Sequence, residues 1–251
     1  MAISWTTKRQ LTYFFIFVII VLGVGFFIWR SATKPTCFDS KQNQGEEGID
    51  CGGPCPKECL GDVKELIVLW SKFFETSKGK YDVAALVKNP NLFLSAPSLK
   101  YQFKIYDKDN ILIAIKEGET LIAPGETFPI FETNVDVGLR IPVRAFIEFE
   151  KNPQWERNEK EKPPLVVSKK QFFNSAPFPR LSVTLENKSI SAVNNIDLAA
   201  VLYDKEKNAQ GASLTKVDVI SGESSQEVVF TWPQPFSEEP VSIEIFFRAG
   251  L

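Results

Sequence analysis

The chain has 251 residues, with 29 basic and 31 acidic side chains, no histidine and four cysteines. At about 100–150 residues per domain, this length allows one large or two small domains. A net charge of -2 provides no basic field for nucleic acid. The lack of histidine excludes Ser-His-Asp and Cys-His catalysis and His-ligated zinc. Composition therefore favours a binding or structural role.

The first feature along the chain is an uncharged apolar run, residues 11–29, with the sequence LTYFFIFVIIVLGVGFFIW. As a helix rising about 1.5 Å per residue it would span about 29 Å, which matches a bilayer core. A cleaved signal peptide would have an apolar run of about 7–15 residues and a small-residue cleavage site, whereas this run is longer and Arg30 follows it. We predict a transmembrane signal anchor at residues 11–30, after a cytoplasmic N-terminus at residues 1–10.

Charge does not decide the orientation of this helix, because Lys8 and Arg9 precede it and basic residues also follow it. The cysteines do decide it. All four lie within residues 37–59, and an even-numbered cluster in a short polar segment is typical of an oxidising compartment. We therefore predict that residues 31–251 are extracytoplasmic. With 26 basic and 31 acidic residues, a net charge of -5, this portion should not bind anionic lipid headgroups or polyanions.

Residues 31–62 form a juxtamembrane segment that contains every cysteine of the chain: Cys37, Cys51, Cys55 and Cys59. A segment this short has no apolar core, so two structural disulfides are the simplest means of stabilising it, with their pairing left open. A four-cysteine zinc site is the second interpretation, disfavoured by the C-x3-C spacing and the extracytoplasmic location. Redox chemistry is the third, disfavoured because no C-x-x-C is present.

The same segment carries four oxygen-bearing candidates for binding a hard cation: Asp39, Asn43, Glu46 and Asp50. Their spacing around glycine turns would permit Ca²⁺ coordination, without matching the EF-hand pattern, and the alternative is that they are solvated turn-formers. The segment resembles a motif of extracytoplasmic surface proteins, C-x-D-x-x-x-N-x-x-E-x-x-x-D-C-G-G-x-C-x-x-C in outline. Here Ser40 stands where glycine is usual, and the last spacing is one residue longer. The resemblance implies a disulfide-stabilised knob and no activity.

The rest of the chain, residues 63–251, contains an internal duplication. Five landmarks occur twice in the same order: Phe73-Phe74 with Phe172-Phe173, Asn89 with Asn187, Tyr106-Asp107 with Tyr203-Asp204, Gly125-Glu126 with Gly222-Glu223, and Pro142-Val143 with Pro240-Val241. In both copies the Gly-Glu pair begins 18 residues after the aspartate. One structural unit is therefore predicted to be used twice.

Within each copy, apolar and polar residues alternate over runs of 5–8 residues, as in residues 100–106. Turn-forming residues separate the runs. About seven such strands in a unit of about 90 residues predict antiparallel β-sandwiches. We therefore predict an all-β fold with two tandem Ig-like sandwiches, residues 63–154 and 165–251. Residues 155–164 have mixed charge and end in two prolines, which predicts a stiff spacer whose Trp155 is available to a partner.

The triplet Leu202-Tyr203-Asp204, followed by Gly222-Glu223 and Phe230, resembles FxLYD-type and related Ig/fibronectin-like domains of bacterial envelope proteins. The first copy has Ile105-Tyr106-Asp107 at the corresponding position. These motifs are turn and core signatures. The resemblance therefore implies a fold and an extracytoplasmic setting, and it implies no reaction.

Catalytic motifs such as G-x-S-x-G, Walker A and G-x-G-x-x-G do not occur in the sequence. Glu148 and Glu150 would share a strand face and could form a glycosidase pair, but two acids on one face are commonly the solvated side of a strand. Asn187 begins a glycosylation pattern, which turn formation explains equally well. We predict that the chain is not an enzyme and needs no cofactor, with Ca²⁺ as the one ion to consider.

The sequence thus leads to two functional hypotheses. The main one is a single-pass envelope protein that sits in the bilayer through residues 11–30 and presents two sandwiches to a protein partner, with no nucleic acid involved. Its candidate contacts are Trp155 and Trp232. The alternative is an extracytoplasmic ligand- or carbohydrate-binding module, with or without a cation. An exposed strand edge or apolar patch would favour the first, and aromatic side chains on a flat exposed face would favour the second.

Overall fold

The structure is a computed structural model, and it describes residues 5–32, 37–43, 45–55, 57, 59, 63–158, 164–175 and 177–249. The chain divides into two units, Met1–Cys59 and Leu60–Leu251. The first contains the only helix in the described residues, α1, Trp5–Ala32. The second contains every described strand.

Helix α1 includes a 19-residue stretch, Arg9–Phe27, with a mean hydropathy of 2.3 and no buried residue. A helix satisfies its backbone hydrogen bonds internally, which is the requirement for crossing hydrocarbon. The predicted helix at the N-terminus is therefore confirmed, with the length and composition of a membrane span. A signal sequence has the same properties, so anchoring itself stays a prediction.

The strands of the second unit are β1 Ile67–Ser77, β2 Lys80–Lys88, β3 Leu94–Asp107, β4 Leu112–Ile122, β5 Thr127–Asp136, β6 Pro142–Phe149, β7 Glu156–Arg157, β8 Leu165–Phe173, β9 Arg180–Asn187, β10 Val193–Tyr203, β11 Ala209–Ile220, β12 Ser225–Thr231 and β13 Ser242–Ala249. All the pairings between them are antiparallel. The predicted all-β fold is confirmed.

Two sets of six strands follow one topology. In the first sandwich, which comprises β1 to β7, the sheets are β1-β2-β5 and β4-β3-β6, and β7 also pairs with β3. In the second sandwich, which comprises β8 to β13, the sheets are β8-β9-β12 and β11-β10-β13. Strands β8 to β13 thus occupy the positions of β1 to β6, in the same order. Each copy has six long strands where about seven were predicted.

The alternating pattern produces the expected faces. On β3, Tyr101, Phe103 and Ile105 point inward and are buried, whereas Lys100 and Lys104 point outward. Each sandwich has its own apolar core, formed between its two sheets. Burial of these side chains, at about 25 cal/mol per Å² of apolar surface, is the main stabilising contribution.

The predicted spacer begins inside the first sandwich. Trp155 is 5% exposed and packs in the first core, and β7 pairs with Leu94 and Ser95 of β3. The prediction that Trp155 is an exposed linker residue is therefore wrong. In the core, the Trp155 ring buries a large apolar area that a charged spacer would leave exposed to water. Residues 159–163 of the predicted spacer lie outside the described residues.

The two sandwiches also pack against each other. The outer face of the β1-β2-β5 sheet contacts the outer face of the β11-β10-β13 sheet through a third apolar cluster. Its fully buried members are Ala84 on β2 and Val201 on β10, each 0% exposed, with Trp70, Phe74 and Phe246 packed around them. The central strands of these sheets, β2 and β10, are therefore buried on both faces over much of their length.

Candidate interaction sites

The knob, residues 37–59, is held by two disulfides, Cys37–Cys55 and Cys51–Cys59. The predicted disulfides are present, and the structure supplies the pairing that the spacing left open. A zinc or redox site would require free thiolates, and every cysteine in the described chain is bonded. The Glu46 carboxylate lies within 4.8 Å of the Cys37 and Cys55 sulfurs, but that disulfide leaves neither sulfur available as a thiolate ligand.

The four predicted cation ligands take part in the hydrogen bonds of the knob itself. The Asp50 carboxylate accepts the backbone N–H groups of Asp39 at 3.0 Å and Ser40 at 2.9 Å. Asp39 accepts the Asn43 side-chain amide at 3.0 Å, and Glu46, which is 6% exposed, accepts the Asn43 N–H at 3.1 Å. Asp39 and Asp50 do not converge with Glu46 within ligand distance in the described knob. These contacts fit the turn-forming alternative.

Ser40 explains one departure from the surface-protein motif. Its φ is 58°, in the left-handed region that glycine adopts without steric cost. A glycine at this position in the motif has the same conformational reason. The turn survives here because the Asp50 carboxylate holds the Ser40 N–H with both oxygens, at 3.1 and 2.9 Å.

The landmark asparagines are buried structural residues. Asn89, 0% exposed, donates its amide to the carbonyls of Leu94 at 2.7 Å and Ala123 at 2.8 Å, and it accepts the Asn91 N–H at 3.0 Å. It therefore joins the end of β2 to the start of β3 and the end of β4.

Asn187, 1% exposed, repeats this arrangement in the second sandwich. It donates to the carbonyls of Ser191 at 2.8 Å, Ile220 at 3.1 Å and Ser221 at 3.0 Å, and it accepts the Ser189 N–H at 3.0 Å. The nitrogen that glycosylation would modify is engaged in these bonds. Turn formation, as expected, accounts for the pattern at Asn187.

The landmark glycines correspond with a shift of one residue. The Gly125 N–H donates to the Asn91 carbonyl and the Glu223 N–H donates to the Ser189 carbonyl, both at 2.8 Å. Both residues have positive φ, 56° and 51°. Gly125 therefore corresponds to Glu223, so the predicted match with Gly222 is wrong. The cause is strand length, because β11 has 12 residues and β4 has 11.

The Tyr-Asp landmarks form equivalent turns. Asp107 accepts the N–H groups of Asp109 at 3.0 Å and Ile111 at 2.9 Å, and it pairs with Arg140. The Ile111 N–H, with the Arg140 guanidinium adding to it, holds the pKa of Asp107 below its ordinary value, although burial opposes this shift. In the second copy, the Asn208 N–H donates to the Asp204 carboxylate at 2.7 Å.

The acid pair considered for catalysis lies on the surface of the β4-β3-β6 sheet. Glu148 pairs with Lys104 at 2.5 Å, and Glu150 accepts the Lys100 N–H at 3.1 Å. Each carboxylate thus has a partner on β3. The positions fit the solvated-face interpretation.

Trp232 lies in the core of the second sandwich, 6% exposed, so its prediction as an exposed contact is wrong. Its indole N–H donates to the Ala212 carbonyl at 3.1 Å. Its ring lies 6.0 Å from Phe172 and 5.7 Å from Phe236, centroid to centroid. The polar edge of the ring is therefore satisfied within the sandwich.

Arg248 on β13 joins the two sandwiches. It pairs with Asp197 at 3.2 Å in its own sandwich. Across the interface it donates to the Leu121 carbonyl at 2.7 Å and to Thr120 Oγ1 at 3.1 Å. Its guanidinium also lies 4.2 Å from the centroid of the Phe128 ring. A planar guanidinium suits this combination of forked hydrogen bonding and stacking.

Sequence reasoning missed this interface, although a signal for it was present. Residues 83–87 read VAALV and residues 198–203 read LAAVLY, so both strand faces are apolar there. A continuous apolar run is typical of a strand that is buried on both sides.

A groove runs beside the interface, and we call it the interdomain groove. Its lining comprises Asp82 and four short segments: residues 71–76 of β1, 143–146 of β6, 209–212 of β11, and 232–237 after β12. Its volume is about 850 Å³, near the upper end of the range of about 300–1,000 Å³ for ligand sites.

The wall formed by residues 232–237 is fixed in place. Asn174 brackets Phe236, accepting its N–H and donating to its carbonyl, both at 2.9 Å. The Phe236 ring lies against Gly211, where a Cβ would stand 2.7 Å from the ring. Gly211 therefore permits the close approach that shapes the groove.

No family model and no curated protein matches the chain. The resemblance to FxLYD-type domains therefore rests on the short motifs alone. The function has to be argued from the site itself.

Proposed function

We propose that the chain is a single-pass, membrane-anchored scaffold of the cell envelope, whose extracytoplasmic sandwiches bind a protein partner. The interdomain groove is the observation that carries this proposal. It combines unpaired strand edges with apolar side chains, which is the feature expected of an assembly protein. The proposal assigns the chain no reaction.

Two further observations support the extracytoplasmic placement. Helix α1 has the length and hydropathy of a membrane span. The knob that follows it carries two disulfides, which are typical of an oxidising compartment.

The alternative, a ligand- or carbohydrate-binding module, has less support. Its expected feature is aromatic side chains on a flat exposed face, and the two tryptophans proposed as contacts, Trp155 and Trp232, are 5% and 6% exposed. Its optional cation would use Asp39 and Asp50, which already accept the N–H groups of the knob.

Cysteine labelling in intact cells tests the topology. In the proposed orientation, Ser225→Cys on the exposed face of β12 reacts with a membrane-impermeant maleimide. Ala2→Cys, the control on the cytoplasmic side, reacts only after the membrane is permeabilised. Labelling of Ala2→Cys and protection of Ser225→Cys in intact cells would overturn the orientation.

Crosslinking in intact cells tests the scaffold role. The full chain is expected to give a discrete adduct with one envelope protein. A chain without the second sandwich, residues 165–251, should lose this adduct, because the groove needs both sandwiches. Repeated recovery of the uncrosslinked chain alone would contradict the role.

A further inference from the structure

We propose that the interdomain groove binds an extended, uncharged segment of a partner protein with apolar and polar side chains in alternation, which pairs with the free edge of β1 as an added strand. This inference deepens the proposed function and rests on it. It names the binding mode and the chemistry of the segment that the scaffold would hold.

The strand edges at the groove have the geometry that an added strand requires. Strand β1 pairs only with β2, β6 only with β3, and β11 only with β10 among the described strands. Along an edge strand, alternate residues turn their N–H and C=O groups away from the sheet. Consecutive residues of all three edges line the groove. An extended chain placed there finds backbone donors and acceptors in the spacing that a strand requires.

Of the three edges, that of β1 lines the groove over the greatest length. It contributes six consecutive residues, 71–76, whereas β6 and β11 contribute four each. At about 3.4 Å per residue, this edge spans about 20 Å, the length of a typical short strand. The Thr76 carbonyl already receives one contact from across the groove, since the Gln234 amide lies 3.4 Å from it. That carbonyl therefore faces the space in which the segment would lie.

These edges carry only part of the protection that natural edge strands usually have. Natural edge strands are blocked by charged side chains, proline or bulges. The β11 stretch, residues 209–212, reads AQGA and has neither charge nor proline. On β1 the charged residues of the groove stretch are Lys72 and Glu75, with one irregularity between Glu75 and Ser77. The β11 stretch therefore lacks charge and proline, whereas β1 keeps partial protection and is most open to another strand along Phe73-Phe74.

The walls of the groove carry apolar, polar and charged side chains. Phe74 and Phe236 line the groove, and the side chains of Phe146 and Val143 are 48% and 52% exposed. The formal charges of the lining cancel, because Lys72 and Arg144 are matched by two carboxylates, Glu75 and Asp82. Thr76, Gln210 and Gln234 add polar groups to the same lining. The groove therefore fits an uncharged segment whose apolar and polar side chains alternate.

Two side chains of the groove lining each have an unsatisfied polar atom. Ser71 Oγ on β1 and Gln210 Nε2 on β11 are buried and have no hydrogen-bond partner in the described structure. A buried polar group without a hydrogen-bond partner destabilises the structure that contains it. The backbone of an added strand supplies both donors and acceptors, so it offers the kind of partner that each of these two atoms lacks.

A peptide library selected on the full chain in lipid nanodiscs tests the inference. Random twelve-residue peptides are displayed, and the enriched peptide becomes the probe. When it binds, deuterium uptake at the amides of residues 71–76 should fall, with no comparable fall on β12. Failure to enrich any peptide over empty nanodiscs, or protection outside the groove, would overturn the proposal.

Backbone N-methylation of the enriched peptide separates strand pairing from other binding modes. Methylation at every second residue should weaken binding by about tenfold or more, because those N–H groups pair with β1. Methylation at the intervening residues should have little effect. Equal tolerance at all positions would overturn the strand-pairing mode.

Matched phenylalanine variants locate the site. Phe146→Ala is expected to weaken peptide binding by about tenfold, and Val143→Glu provides a second groove variant that does not depend on an aromatic contact. Phe178→Ala is the control, because Phe178 is 60% exposed and does not line the groove. Equal effects of Phe146→Ala and Phe178→Ala would contradict the proposal. The maleimide topology result is independent of these outcomes, so failure here leaves the anchored topology standing.

Discussion

The two sandwiches share one strand topology but present different outer faces. Outward positions on β3 are mostly polar, whereas the equivalent positions on β10 are mostly apolar. The equivalent pairs are Lys100 with Asp197, Gln102 with Ala199, Lys104 with Val201, and Tyr106 with Tyr203. The two copies thus share one frame and differ in their surfaces, and the apolar face of β10 is buried against the first sandwich.

The opposite difference occurs on β2 and β9. Ala84 and Leu86 point outward from β2 and are buried, Ala84 in the apolar cluster between the sandwiches, whereas the equivalent Ser182 and Thr184 on β9 are only partly buried. Each sandwich therefore contributes one modified sheet, and the two modified sheets meet. The pair forms one compact unit because of this complementary change.

The largest expected effect comes from placing a charge in this interface. Ala84→Asp buries a carboxylate without a partner, which should lower the free energy of unfolding by about 3–5 kcal/mol. Urea denaturation of the full chain in detergent, followed by tryptophan fluorescence, measures the change. If the two sandwiches of Ala84→Asp unfold in two separated transitions, the variant has lost the interface that makes them unfold together.

The second sandwich provides the matched control. Ser182→Asp introduces the same side chain at the equivalent position on a free face, where about 0.5 kcal/mol or less is expected. If both variants unfold with the same free energy, the outer faces do not differ in the way described.

The next effect tests what the two copies share. Asn89→Ala removes the side-chain donor of two backbone carbonyls and Asn187→Ala that of three, so each should cost about 2–4 kcal/mol. The two losses should agree within about 1 kcal/mol, because the hydrogen bonds are equivalent. Denaturation with Asn152→Ala as the exposed control checks this. A large loss at one asparagine alone would show that the buried frame has also diverged.

A smaller effect is expected at Arg248. Arg248→Ala removes the two hydrogen bonds to the first sandwich and the stacking on Phe128, for a loss of about 1–3 kcal/mol. Arg248→Lys should recover only part of it, since an ammonium cannot form the same fork. Full recovery by lysine would reduce the role of Arg248 to its charge alone.

The smallest effect concerns pH. The pKa of Asp107 is lowered in the folded chain, so its contribution to stability is present above the ordinary aspartate pKa of about 4 and is lost as pH falls through the lowered value. The stability difference between the native chain and Asp107→Asn should therefore shrink as pH falls from about 5. Urea midpoints measured at a series of pH values test this. A difference that grows at low pH would contradict the assignment.

Much of the frame followed from the sequence, because the alternation of apolar and polar residues directly reflects the strand geometry. Phe103 and Ile105 alternate with Lys104 and Tyr106, which is the pattern of a strand with one buried face and one outward face. The spacing of landmarks was less reliable. An 18-residue spacing aligned Gly125 with Gly222, but one added residue in β11 moved the turn.

The sites were less predictable, since they depend on how elements far apart in sequence pack. Trp155 lies in a charged segment, and composition alone assigned it to a spacer, although its ring fills the first core. The interdomain groove exists only because β1 and β11, more than 100 residues apart, come together. Sequence periodicity contains no information about that distance.

The distance distribution between the two sandwiches tests most directly whether they form one body. Nitroxide labels at Ser98→Cys and Ser225→Cys, one on each sandwich, are suited to pulsed electron resonance because the described native cysteines are all in disulfides. We expect one narrow distribution, which Ala84→Asp should broaden. A broad distribution in the chain that carries only the two label sites would contradict the packed pair, and with it the groove.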